Sequence, residues 1–140
     1  MMRYWLCAAF LCSMAVSAHA SDNAAARAQF ELGRDSRNAI GTARDTVRAY
    51  ALIRAAALGG YGPAMFTLSN MLECGEGIAK DPVQARRWLE AAAAQDYPEA
   101  LQQLALNLRH GTGGYIGDQA RADQLLREAE HAMKHRAHQH

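Results

Sequence analysis

The feature that most constrains this chain is an internal period of 36 residues. Ala28, Ala64 and Ala100 stand 36 apart, and each opens an apolar pattern at i, i+4 and i+8: Leu32 after Ala28, Leu68 and Leu72 after Ala64, Leu104 and Leu108 after Ala100. That spacing draws one stripe along an α-helix. A glycine turn follows at the same interval, Gly75-Glu76-Gly77 and then Gly111-Thr112-Gly113, with Gly41 in the corresponding place of the first unit. Glycine accepts the left-handed backbone that stops a helix. A second helix then starts at an aspartate, Asp45, Asp81 or Asp118, the last interval being 37 because Gly113-Gly114-Tyr115-Ile116-Gly117 holds one extra residue. Aspartate is a good N-cap, and Asp81 followed by Pro82 and Gln84 has the form of a capping box.

The second helices repeat as Ala49, Leu52, Ile53, Ala56, then Ala85, Trp88, Leu89, Ala92, then Ala122, Leu125, Leu126, Ala129. Small residues at the edges of each stripe let helices approach closely. Such units bury their apolar faces only by stacking on each other, so the pattern predicts an all-α fold, an α-solenoid of about three antiparallel helix pairs. The repeat domain is expected at 24–132, with units of about 28–63, 64–99 and 100–132, before a His-rich tail at 133–140.

Residues 1–20 read as a signal peptide: Arg3, an apolar stretch from Tyr4 to Val16, and an Ala18-x-Ala20 cleavage signal before Ser21-Asp22. The apolar stretch is shorter than the ~20 residues that span a bilayer, so no stable membrane insertion is expected. Cleavage after Ala20 predicts a periplasmic or secreted protein. It leaves 120 residues, 25 of them alanine, in which Lys and Arg fall from 15 to 14 while Asp and Glu stay at 14. Alanine enrichment favours helices. With a mature charge of zero and only Lys80 and Lys134 as lysines, the surplus of basic groups that binds nucleic acid is missing. Cleavage also removes Cys7 and Cys12 and leaves Cys74 without an intramolecular partner. Burial as a small core residue is the expectation for it, with an intermolecular disulfide as the alternative.

The run of Ala64 and Leu68, Gly75-x-Gly77, Asp81, Ala85, Trp88-Leu89 and Ala91-Ala92 resembles the Sel-one-like repeat (SLR) family, a relative of the tetratricopeptide repeat. The resemblance extends over about residues 26–132, with the unit from Ala64 to Pro98 the nearest match and the first unit degraded as an end cap would be. It implies a right-handed superhelix whose first helices line a concave face, and a non-enzymatic scaffold that binds a protein or peptide; with the signal peptide, the expectation is a scaffold of the bacterial envelope. Some cysteine-rich secreted members are associated with penicillin binding and β-lactamase activity through a cysteine pair in each repeat. A single mature cysteine departs from that pattern, which keeps a secreted hydrolase as the alternative.

Positions two, six and nine after each leading alanine point away from the core stripe: Phe30, Arg34, Arg37; Phe66, Asn70, Glu73; Gln102, Leu106, Arg109. These are the candidate partner-binding residues, with Phe30 and Phe66 as anchors. No catalytic residue and no cofactor is expected: the mature serines are Ser21, Ser36 and Ser69, and Ser69 sits where helices need a small contact. Arg86-Arg87 reads as a solvated helix edge. His131, His135 and His138 share a helical face with Glu128 and form a candidate metal site at the tail, beside His140. A stack of three pairs has apolar ends, so self-association, as a homodimer, is expected to compete with the monomer.

Overall fold

The computed structural model describes residues 8–39 and 45–138, with side chains from residue 22 onward. Among these residues there are six helices: α1 (Ala8–Asn38), α2 (Thr46–Leu58), α3 (Gly62–Cys74), α4 (Pro82–Ala93), α5 (Pro98–His110) and α6 (Gln119–Ala137). They pack as α1 on α2, α3 on α4 and α5 on α6, and the pairs join through α2 on α3 and α4 on α5. The chain is an all-α stack of three helix pairs. None of the described helices is long and apolar enough to cross a membrane. The helix α1 runs as one piece through Ala20, where the cleavage signal ends.

The aspartate caps recur as the 36-residue period requires. The carboxylates of Asp45, Asp81 and Asp118 accept from the backbone N–H of Arg48, Gln84 and Arg121 at 2.9, 3.0 and 2.9 Å. The Gln84 side chain also donates to Asp81, at 2.8 Å. Donation by the Gln84 backbone and side chain holds the Asp81 carboxyl below the usual carboxylate range. The same three aspartates donate their own N–H to the carbonyls of Ser36, Leu72 and Leu108, at 3.0, 3.0 and 2.9 Å. Each second helix is thereby tied to the last turn of the first.

Helices α3 and α5 stop at left-handed Gly75 and Gly111 (φ 74° and 64°). In the first pair the equivalent residue is Ala39, at φ 59°. Gly41, which the sequence pattern places in this turn, lies outside the described residues, and the left-handed step after α1 is carried by an alanine.

The core is built from Ala49, Ile53 and Ala56 of α2, Ala64, Leu68 and Leu72 of α3, Ala85 and Leu89 of α4, Ala100 and Leu101 of α5, and Ala122 and Leu125 of α6. Close approach within each pair depends on a small residue at one repeated place: Gly33, Ser69 and Ala105. A Cβ on Gly33 would lie 2.7 Å from Ile53 Cγ1. Ser69 fits because its buried hydroxyl donates to the Ala85 carbonyl at 2.8 Å.

Two expectations, the stripe of the first unit and the burial of Cys74, need correction. Ala28 and Leu32 are exposed, Leu32 by 55%, and among the side chains described in α1 the buried residues are Ala26 and Gly33. The equivalent Ala64 and Leu68 are covered because α3 packs on both α2 and α4, whereas the major contact of α1 is with α2 alone. Trp88 is half-buried against the core, and the fully covered place beside it goes to Leu89. Cys74 is free and exposed. It is the last residue of α3, where Met71 and Leu72 already fill the inward positions.

Candidate functional site

The face of the first helices turned away from the core stripe, expected to line the concave surface, is where sequence reasoning placed the site. Arg34, Asn70 and Leu106 are exposed along it, as are Glu73 and Arg109, while Arg37, Phe30, Phe66 and Gln102 are partly buried. Arg34 pairs with Glu31 at 2.6 Å within its own helix. Arg37 meets Glu76 through three contacts of 2.7 to 3.0 Å, and hydrogen bonding to that carboxylate raises its already high pKa. Arg109 pairs with Asp123 at 2.8 Å.

The two phenylalanines each press on a tyrosine of the following turn. Phe30 meets Tyr61 edge-on with ring centres 5.3 Å apart, and Phe66 meets Tyr97 at 5.7 Å. The third unit keeps the contact with other chemistry, since Gln102 Nε2 lies 3.8 Å from Met133 Sδ. Each turn has the same construction: a left-handed Gly60 or Asp96 (φ 84° and 54°), then the tyrosine, whose N–H donates to the carbonyl of Ala56 or Ala92 at 3.2 Å.

Tyr61 and Tyr97 line an open groove of about 930 Å³. Its floor is the two turns, Gly60 to Pro63 and Gln95 to Pro98. One wall is the face of α6 carrying Gln124, Arg127, Glu128, His131 and His135, and Asn23 of α1 marks the far end. Helix α6 is long enough to form this wall because it runs on for about two turns past the place where α4 ends. Arg136 joins it to α5, donating to Glu99 at 3.0 Å and lying 5.8 Å from the centre of the Tyr97 ring. Burial, with the Glu99 charge beside it, pushes the Tyr97 hydroxyl above the ordinary phenol range, and the hydrogen bond to Glu99 raises the Arg136 pKa. His131 and His135 touch edge to face at 4.3 Å. His138 follows the last residue of α6 and is exposed, and His140 lies outside the described residues. Among the described residues no group of three His, Cys, Asp or Glu is arranged to hold a metal ion.

A second cavity of about 290 Å³ opens between α3, α4, α5 and the loop after α5. It brings together Asn70 and Glu73 with Ser69, Arg86, Gln103 and Asn107, closed by Tyr115. Arg86 is no free helix edge: it donates to the Gly114 carbonyl at 2.9 Å and sits 5.4 Å from the centre of the Tyr115 ring. Tyr115 in turn donates to Glu90 at 3.1 Å, and burial together with that carboxylate drives its pKa well above the usual phenol value. Arg87 is exposed, as expected.

Sequence reasoning missed Tyr61 and Tyr97. The signal was present: two tyrosines 36 residues apart, each the residue before a first helix that carries a proline in its first turn. It also missed the structural part played by the inserted residue of the last loop.

A stack of helix pairs with periodic caps and a groove along its turns defines a helical-repeat scaffold. The family model described as Sel1 repeat matches residues 26–61, 62–97 and 98–130, and the chain belongs to that family. Sel1 repeat proteins typically act as scaffolds for protein–protein interaction. Among solved structures the chain is similar to a Sel1 repeat protein from Oxalobacter formigenes, with TM-score 0.71 and 23% identity over 74% of this chain and 41% of that one. It is also similar to c5321, a protective antigen present in uropathogenic Escherichia coli strains displaying an SLR fold, with TM-score 0.69 and 34% identity over 76% of this chain and 22% of that one. The chain thus spans less than half the length of either structure. No curated protein matches it in sequence.

Proposed function

We propose that this protein is an exported, non-enzymatic scaffold of the bacterial envelope that takes an extended segment of a partner protein into the groove between the inter-pair turns and α6. The observation that carries this reading is the groove itself, about 930 Å³ in volume, floored by tyrosines one repeat apart. Tyr61 and Tyr97 are held by Phe30 and Phe66 behind them, so their rings are positioned before a partner arrives. Pre-positioned aromatic rings are favourable contact surfaces because little side-chain freedom is lost on binding. The α6 wall supplies polar groups for orientation. Export is supported by the signal-peptide pattern of residues 1–20.

The test is photocrosslinking in the cell envelope, with a benzophenone amino acid at Gln124 in the groove wall or at Val83, which is exposed on α4. A defined partner should crosslink from Gln124 and not from Val83. The double variant Arg127→Glu, His131→Glu should abolish that product while leaving helicity and melting temperature unchanged, because both side chains are exposed. An undiminished product in the folded double variant would move the binding surface elsewhere. Conversion of a chromogenic β-lactam by the purified protein would overturn the non-enzymatic reading.

A further inference from the structure

Positions 37, 73 and 109 are one place in three units, and the structure treats them differently. Arg37 is neutralised by Glu76, and Arg109 by Asp123. Glu73 carries the opposite charge between these arginines, is exposed, and makes no hydrogen bond or ion pair with any described residue. The residue of α4 that corresponds to Asp123 is Arg86, once the one-residue insertion is counted. Its charge is the one that could close on Glu73 as Asp123 closes on Arg109. It does not close, because Arg86 is drawn to the Gly114 carbonyl, the Tyr115 ring and, at 3.8 Å, Glu90.

The extra residue of the last loop therefore leaves a carboxylate without a partner among the described residues and a cavity beside it. Glu73 is the carboxylate that lines this cavity, and the charge of Arg86 beside it is met by Glu90, which lies 3.8 Å from it outside the lining. The lining adds the amides of Asn70, Gln103 and Asn107, beside the hydroxyls of Ser69 and Thr112 and the apolar Ala85 and Leu89. Gln103 Nε2 donates to Asn107 Oδ1 at 3.1 Å, which leaves the Gln103 carbonyl oxygen and the whole Asn70 amide available. At about 290 Å³ the space lies at the lower end of small-molecule pockets and suits one long side chain.

We infer that this cavity is a recognition pocket for a basic side chain, with the guanidinium of an arginine the best fit. A carboxylate binds a guanidinium through two parallel N–H donations, and the fork has further donors for the amide oxygens of Asn70 and Gln103. An ammonium offers the same charge without the planar fork. The site is separate from the groove at the turns, and its test does not require that groove to bind anything.

The experiment is an NMR titration of the side-chain amides of Asn70, Gln103 and Asn107 with three probes: the N-acetyl amides of arginine, lysine and citrulline. The arginine probe should shift these signals saturably. Citrulline, which has the shape without the charge, should bind roughly tenfold more weakly or worse, the scale expected for loss of a charged hydrogen bond. Glu73→Gln, at an exposed position, should weaken arginine binding to a similar degree without changing the melting temperature, and Asn70→Ala should weaken it less. Lysine binding weaker than arginine supports the guanidinium assignment, and equal binding overturns it in favour of charge alone. Equal binding of citrulline, no saturable shift with arginine, or full binding by Glu73→Gln would each overturn the pocket.

Discussion

Ala39 is a sharp test of the turn chemistry, because the repeat supplies its own controls. The same left-handed residue ends the first helix of every pair, at φ 59° for Ala39, 74° for Gly75 and 64° for Gly111. For an L-residue that conformation costs roughly 1–2 kcal/mol, while glycine gives back roughly 0.5–1 kcal/mol through the freedom of its unfolded chain. Ala39→Gly should therefore stabilise the fold by about 0.5–1 kcal/mol. With an unfolding entropy of about 2 cal/mol/K per residue over roughly 110 ordered residues, that is a rise of about 2–4 °C in melting temperature. Gly111→Ala is the mirror experiment. A Cβ there would find its nearest atom at 3.6 Å, so the substitution meets backbone strain and no crowding, and should lower the melting temperature by about the same amount. The assay is thermal and urea unfolding of the chain from Ser21 onward, followed by circular dichroism, with unchanged m-values showing that stability alone has moved. A lower melting temperature for Ala39→Gly, or none of the expected loss for Gly111→Ala, would refute the claim that the left-handed step limits these turns.

Other outcomes follow from burial and electrostatics. Leu68→Ala, at a fully covered site, should cost about 3–5 kcal/mol, whereas Trp88→Ala should cost about 2–3 kcal/mol because its ring is only partly covered; paired urea titrations compare them. The folded pKa of Asp81 is depressed, so its contribution to stability is complete above the unfolded value of about 4 and is lost as pH falls through the folded value. Melting curves from pH 6 to pH 2 should show an acid loss that is smaller in Asp81→Asn. Cys74 should react with a thiol reagent in the native protein without denaturant, and protection until unfolding would contradict its exposure.

Much of this protein was legible in one dimension. The period of 36, the aspartate caps and the small residue at Ser69 depend on local rules: a stripe repeats every helical turn, a carboxylate caps the N–H groups nearest to it, and a close helix contact needs a small side chain. Such rules act within a few residues or between identical units, so the order of the helices and their pairing could be read from spacing alone. What tertiary structure decided lies where the units stop being identical. Ala28 and Leu32 carry the stripe of a buried helix, yet stand in water because, among the described elements, α1 packs mainly on α2, whereas α3, which carries Ala64 and Leu68, packs on both α2 and α4. Trp88 and Leu89 sit in one stripe, and only packing against the neighbouring helices gives the covered place to Leu89. The groove exists because α6 runs straight on where α4 turns back, and the small cavity because one inserted residue draws Arg86 away from Glu73. A repeat pattern specifies the contacts that every unit shares. The ends and the insertions are fixed only by which surfaces find a neighbour, and in this chain those are the places that form both candidate sites.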